Sequence, residues 1–226
     1  MAKPIITTHN VSKFYKGEQS FQALNDVNII INEGEFVSII GHSGSGKSTL
    51  LYLLSTLDTD YTGKIVIDGK ELGKMSQNQL ADFRNADIGF VFQFHYLLPE
   101  FTVLENVCLP GYKLGKYSET ELRKRALEKL EMLGLAPQAE KLASQLSGGQ
   151  QQRVAIARAL INDPKIIFGD EPTGNLDTAN SKMVFDIFKD LQERFGQTIV
   201  IVTHDREIAA KTDRSIELRD GQVVLN

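Results

Sequence analysis

Glu35-Phe-Val-Ser-Ile-Ile-Gly-His-Ser-Gly-Ser-Gly-Lys-Ser48 is the stretch on which the fold turns. An apolar run, Glu35 to Ile40, meets a glycine-rich turn that fits G-x-x-x-x-G-K-[ST] from Gly41 to Ser48, and the residues after it read as a helix. Strand, turn and helix in that order make a phosphate cradle. Gly41, Gly44 and Gly46 let the backbone curl so that N–H groups along His42, Ser43 and Ser45 point inward at phosphate oxygens. The helix that opens near Lys47 adds the positive end of its dipole. Lys47 reaches the β- and γ-phosphates, the Ser48 hydroxyl can ligate Mg²⁺, and Thr49 completes the nucleotide-binding set. A glycine-rich turn without a ligand is the alternative, and it is disfavoured because pattern and context agree.

Downstream, Lys165-Ile-Ile-Phe-Gly-Asp-Glu171 is an apolar strand that ends in two acids. An Asp at such a strand end holds magnesium in P-loop NTPases, which assigns Asp170 to the metal. Glu171, one residue on, faces another way and can orient or deprotonate an attacking water. A merely solvated strand end is the alternative, and the phosphate turn weakens it.

Leu146-Ser-Gly-Gly-Gln150 precedes a helix carrying Val154, Ile156, Ala157 and Leu160. Ser147 and Gln150 have the capping-box spacing, and Gly148-Gly149 leaves the helix entrance without side chains. An uncrowded helix start with a hydroxyl is an anion site. A plain helix cap would explain Ser147 and Gln150. It explains the glycines poorly, because each carries a helix penalty of ~1 kcal/mol. One chain thus offers two phosphate-binding helix ends for one triphosphate, as two chains placed head to tail would require.

Around these motifs the pattern is α/β. Short β-type runs, Ala23 to Ile31, Glu35 to Ile40 and Gly63 to Asp68, open the chain, the last closed by Asp68-Gly69. The middle is helical: Ser76 to Gln79 and Ser118 to Glu121 are capping boxes, and Leu122, Ala126, Leu127, Leu130 and Leu133 follow the second at helical spacing until Gly134. Helix Gln150 to Ile161, strand Lys165 to Gly169, helix Asn180 to Phe195 and strand Thr198 to Thr203 then alternate. Helix-covered, continuously apolar strands imply a mainly parallel sheet, with the early strands and the middle helices as additions.

Composition narrows the function classes. The net charge of −4 argues against a nucleic-acid binder that relies on a basic face. Cys108 is the single cysteine, so an intramolecular disulfide is impossible and a reducing compartment is the simple reading. The N-terminus has no apolar stretch long enough for a signal peptide. The longest apolar runs are strand-sized, far below the ~20 residues of a membrane span. A soluble protein is expected, one that serves a membrane only through partners.

With these motifs in this order, the sequence resembles the ATP-binding-cassette ATPases over essentially its whole length. Walker A (Gly41 to Ser48), LSGGQ (Leu146 to Gln150) and Walker B (Ile166 to Asp170) occur together, and LSGGQ is the most specific of the three. The resemblance implies one ABC ATPase domain over 1–226, with an antiparallel β subdomain and a helical subdomain. The nucleotide-binding core would take about 1–92 and 162–226, and the helical part about 93–161. It implies ATP and Mg²⁺ as cofactors and a homodimer formed on ATP binding. Ser147, Gly148, Gly149 and Gln150 would face the partner's γ-phosphate, and Asp177 of Asn175-Leu-Asp177 would lie at the dimer seam. Gln93 would contact Mg²⁺ or the lytic water, His204 the γ-phosphate, and Tyr15 the adenine ring.

Gln93-Phe-His-Tyr-Leu-Leu-Pro99 with Phe101-Thr-Val-Leu-Glu-Asn-Val107 resembles the branch that serves lipoprotein release and macrolide export; the cassettes of cell division are a near rival. In this family the Gln93 to Leu98 region docks the permease, so a membrane partner there and a place on the cytoplasmic face of the inner membrane are implied. A soluble, non-transport ABC ATPase acting on DNA or the ribosome would carry coiled coils or tandem cassettes, and neither is seen. A P-loop kinase would leave LSGGQ unexplained.

Overall fold

A computed structural model of the chain describes residues 3–16 and 20–225. Two compact units emerge, one made of Met1–Ala81 with Leu191–Asn226, the other of Asp82–Asp190.

The first unit contains two sheets. Strands β1 (Pro4–Tyr15), β2 (Phe21–Val27) and β3 (Ile30–Asn32) join β5 (Thr62–Ile67) and β6 (Lys70–Glu71) in an antiparallel sheet with β1 at its heart. The single strand expected over Ala23 to Ile31 is two. Asp26 takes a left-handed φ of 54°, and Asn28 bridges back to the Asp26 carbonyl, so the polar Asn-Asp-Val-Asn run turns the chain between them. The Asp68-Gly69 turn is as expected: both residues have positive φ, and Ile67 faces Lys70 across the β5–β6 hairpin.

The second sheet of this unit is mainly parallel. Strand β4 (Phe36–Ile40) lies between β9 (Thr198–Val202) and β10 (Arg214–Arg219), parallel to both, with β11 (Gln222–Leu225) antiparallel at the edge. Every residue of β9 is buried, the signature of a strand covered on both faces. Helix α1 (Lys47–Leu54) follows β4 and buries Leu50, Leu51, Leu53 and Leu54.

The second unit pairs β7 (Ile88–Val91) in parallel with β8 (Ile166–Asp170) and is otherwise helical. Helix α2 (Gln77–Asp87) leads into this unit, and α6 (Thr178–Phe195) leads out of it. Helices α3 (Val103–Leu114), α4 (Glu119–Met132) and α5 (Gly148–Leu160) lie between. The capping boxes read at Ser118 and Ser147 form in full, each serine oxygen accepting from the N3 backbone while the N3 side chain reaches back. Helix α4 buries Leu122, Ala126 and Leu130, but Leu127 is exposed; it falls one position past that i, i+4, i+8 stripe. Gly89 of β7 sits against α5 so tightly that a side chain there would start 2.6 Å from the Ala159 carbonyl.

Candidate functional site

In the first unit the phosphate turn leaves the C-terminal end of β4. Gly41 has φ 149°, and a Cβ there would start 2.2 Å from the Leu218 carbonyl and 2.6 Å from Ser45 Oγ. Gly46 has φ 100° and lies under β2, where a Cβ would start 2.6 Å from the Ala23 carbonyl. These two glycines are fixed by backbone that passes close over the turn. Gly44, with φ 78°, differs: among the described residues nothing lies within 4 Å of its side-chain position, so the turn is open there. The Ser45 hydroxyl is buried and has no hydrogen-bond partner among the described residues. Lys47, nearly buried, curls back to donate to the His42 carbonyl at 2.9 Å. A curled backbone, an unmet hydroxyl and an ammonium held over the loop fit the phosphates of a nucleotide.

Strand β9 runs beside β4, with Ile39 facing Val202, so His204 and the turn leave neighbouring parallel strands at the same end. Ligands gather at such ends in open α/β sheets. His204 is exposed just ahead of α7 (Arg206–Ala209), whose N-cap Asp205 accepts from the backbone N–H groups of Glu207 and Ile208. Tyr15 closes β1 opposite Phe21 on β2, both exposed, and the Lys13 ammonium lies 4.9 Å from the Tyr15 ring centre. Lys13 itself is buried and held by Asp58 at 2.8 Å.

The second unit repeats this logic. Val91 faces Gly169, so Gln93 follows β7, and Asp170 and Glu171 end β8, on adjacent parallel strands. Glu171 adopts a left-handed φ of 44°, uncommon for a side chain of its kind and found where surroundings hold it. Gln93 Nε2 and Glu171 Oε2 flank one point, 3.0 and 3.2 Å from where a Cβ on Gly174 would stand. Asn175 Nδ2 donates to the Gln93 carbonyl at 3.3 Å. The structure thus brings Gln93, Glu171 and the segment after it together.

At the start of α5, Ser147 is the N-cap and the two glycines part company. A Cβ on Gly149 would start 2.1 Å from Asn180 Oδ1, so the Asn180 amide occupies that space. Around Gly148 nothing among the described residues lies within 4 Å. Asp177 caps α6: its carboxylate accepts from the Asn180 N–H and Asn180 Nδ2, both at 2.8 Å, and these bonds hold its pKa below the usual carboxylate range.

A family model described as "ABC transporter" matches residues 24–174. The chain belongs to the ABC transporter family. This ABC cassette is 50% identical over 220 residues to the lipoprotein-releasing system ATP-binding protein LolD of Aquifex aeolicus, covering 97% of the chain and 96% of that relative. It is 51% identical over 216 residues to the macrolide export ATP-binding/permease protein MacB of Chlorobaculum tepidum, where the match spans 95% of this chain and 33% of that one. A dimeric ATP-binding cassette solved in a post-hydrolysis state with ADP and Pi superposes with a TM-score of 0.88 at 47% identity, covering 97% of the cassette and 96% of that chain. The chain is an ABC-type ATPase.

Several residues that organise this cassette escaped the sequence reading. Asn106, fully buried, accepts from the Leu98 N–H and donates to the carbonyls of Leu98, Phe101 and Thr102, which shapes the loop after Gln93. Arg158 donates to the carbonyls of His95 and Tyr96. A lone Asn or Arg on a helix reads as surface, so only the fold reveals them. No helix among the described residues is long and apolar enough to cross a membrane.

Proposed function

We propose that this cassette is the ATP-hydrolysing subunit of a lipoprotein-releasing complex. It would work as a homodimer on the cytoplasmic face of the inner membrane and drive separate permease chains. The observation that carries the dimer is the contrast at α5: Gly149 is accounted for inside the chain by Asn180, while Gly148 opens onto space where nothing among the described residues lies within 4 Å. A γ-phosphate held by a second copy suits an N-terminus with a capping serine and no side chain in the way. Two similar solved cassettes, at 47% and 48% identity, are dimeric, which supports a dimer here.

The residue roles follow. Gly41 to Thr49 hold the triphosphate of ATP, with Lys47 on the β- and γ-phosphates, and Tyr15 meets the adenine. Ser48, Asp170 and Gln93 offer hard oxygen donors of the kind Mg²⁺ takes; once bound, the ion would neutralise phosphate charge. Glu171, fixed by its constrained backbone, directs water in line, and His204 and Lys47 stabilise charge on the transferred phosphoryl group. Ser147, Gly148, Gly149 and Gln150 close on the second copy's nucleotide, with Asp177 at the seam.

Loss of the shared γ-phosphate contact on hydrolysis opens the dimer and pulls on the permease through Gln93 to Leu98. Phe94, Tyr96 and Leu98 are exposed there as a small aromatic and apolar group, which supports a docking role. The subdivision into a core over about 1–92 and 162–226 and a helical part over about 93–161 belongs to the same reading. The lipoprotein assignment rests on relatives that bear that name at 45–50% identity.

The test has two parts. Glu171→Gln with ATP should run as a dimer on gel filtration, and a persistent monomer overturns the scheme. Reconstituted with its co-purifying membrane proteins in lipoprotein-loaded vesicles, the cassette should release lipoprotein with ATP; efflux of a macrolide without such release assigns it to export instead.

A further inference from the structure

Gln152 lies one turn into α5, 1% exposed, in a helix whose start is the Ser147-Gly148-Gly149 end. Its Nε2 donates to two carbonyls, Pro172 at 2.6 Å and Phe92 at 3.3 Å. Carbonyls only accept, so the amide orientation is set by its partners and the nitrogen must face them. Its Oε1 is buried and has no partner among the described residues. Pro172 directly follows Glu171, and Phe92 directly precedes Gln93. One amide therefore pins the chain on the far side of both groups assigned to the hydrolytic step.

A residue chosen only to fill the core would not be a glutamine. Burying this amide leaves an acceptor unmet, which is unfavourable, and methionine has nearly the same shape without that penalty. Apolar neighbours on the same helix, Val154, Ala155 and Ile156, fill the core without polar atoms. What the amide adds is a donor at the one place where the β7 and β8 exits meet α5. The left-handed backbone at Glu171 is the kind of conformation that needs such outside support.

We infer that Gln152 is a positioning residue for ATP hydrolysis. It holds Glu171 and Gln93 in register with each other and ties both to the helix whose start bears Ser147 and Gly148. The inference rests on the proposed roles of Glu171 and Gln93. Through it, a phosphate that engages the start of α5 would be felt at the water-directing carboxylate by a rigid path, with no contact between Gln152 and the nucleotide.

Two variants of the full chain test this. Gln152→Met keeps the shape, loses the donor and removes the unmet acceptor. It should melt within about 2 °C of the native chain, bind ATP with KM changed less than about threefold, and lose kcat by on the order of 10- to 100-fold, the scale of a misplaced catalytic group. Gln152→Glu places a buried carboxyl against two carbonyls, which favours its protonated form. Protonated, its single O–H restores one of the two donations the amide made. Its kcat relative to the native chain should therefore climb as pH falls from about 8 to about 6, a recovery that Gln152→Met must lack.

A Gln152→Met chain that hydrolyses ATP within twofold of native overturns the inference. So does a parallel fall of kcat and melting temperature in both variants with no recovery of Gln152→Glu at low pH. Failure of Glu171→Gln to dimerise would sink the proposed function instead, so the two failures are read separately.

Discussion

Alanine at Gly148 and alanine at Gly149 add the same methyl group to adjacent positions of one helix, yet they should fail in opposite ways. At Gly149 the new Cβ would stand 2.1 Å from Asn180 Oδ1, inside any real contact distance. The Asn180 amide must swing away, and its bond to the Asp177 carboxylate, 2.8 Å from Nδ2, is lost. The overpacking that displaces the amide is worth about 1–2 kcal/mol, and the exposed bond to Asp177 adds little. For a chain of this size, that lowers the melting temperature by about 2–8 °C. At Gly148 nothing lies within 4 Å among the described residues, and replacing glycine near a helix start gains up to about 1 kcal/mol, so the melting temperature should hold or rise by up to about 4 °C. Hydrolysis should fall in the reverse order of stability. A methyl at Gly148 enters the space proposed for the second copy's γ-phosphate, and losing a preorganised phosphate contact costs on the order of 100-fold in kcat. Melting curves without nucleotide and steady-state ATPase rates on both variants decide it. A stable Gly148→Ala chain with native turnover refutes the dimer reasoning, and equal destabilisation of the two refutes the packing reasoning.

Cys108 is buried, and burial pushes its thiol up to about 11. At pH 8 it should resist alkylation in the folded chain and take one label only after unfolding; rapid labelling of folded protein, read by mass, contradicts the placement. Asp163 is partly buried, which alone would raise its pKa. Hydrogen bonds from Lys129 at 2.7 Å and from Arg125 win and hold it below the usual carboxylate range. A depressed carboxylate contributes stability above its unfolded pKa of about 3.9 and loses it as pH falls through the folded value. Asp163→Asn should therefore be slightly less stable at pH 7, by about 1 kcal/mol or less given its exposure, with the gap narrowing as pH falls below about 4. A gap that stays constant with pH means the ion pairs contribute nothing.

The strand–turn–helix of the phosphate cradle was legible because its chemistry is local. Gly41 to Ser48 form one uninterrupted motif with Lys47 and Ser48 at fixed spacing, although the backbone that crowds Gly41 and Gly46 comes from Leu218 and Ala23. The capping boxes at Ser118 and Ser147 were legible for the same reason. Strand β1 and the C-terminal β10–β11 pair were not read, although each has a partner close by in sequence, β2 beside β1 and β11 beside β10; register shifts interrupt both pairings, so the alternation in either run is weak.

The same divide runs through the site and explains why its second tier stayed hidden. Ser147 and Glu171 belong to motifs that could be read from their neighbours, while Gln93 was named only through the family resemblance. Asn180 and Gln152 hold those motifs together across the fold. One occupies the side-chain space of Gly149, and the other bridges the carbonyls of Phe92 and Pro172. On a linear chain each is a polar residue on a helix, where solvent is the default partner. The burial of Gln152 and the packing of the Asn180 amide against Gly149 are what change the meaning. The glycine pair makes the point from the other side: two identical letters, of which Gly149 is explained by an asparagine 31 residues on, while nothing among the described residues lies within 4 Å of the side-chain position of Gly148. On the proposed reading, that open position is where a phosphate bound to a second copy would enter.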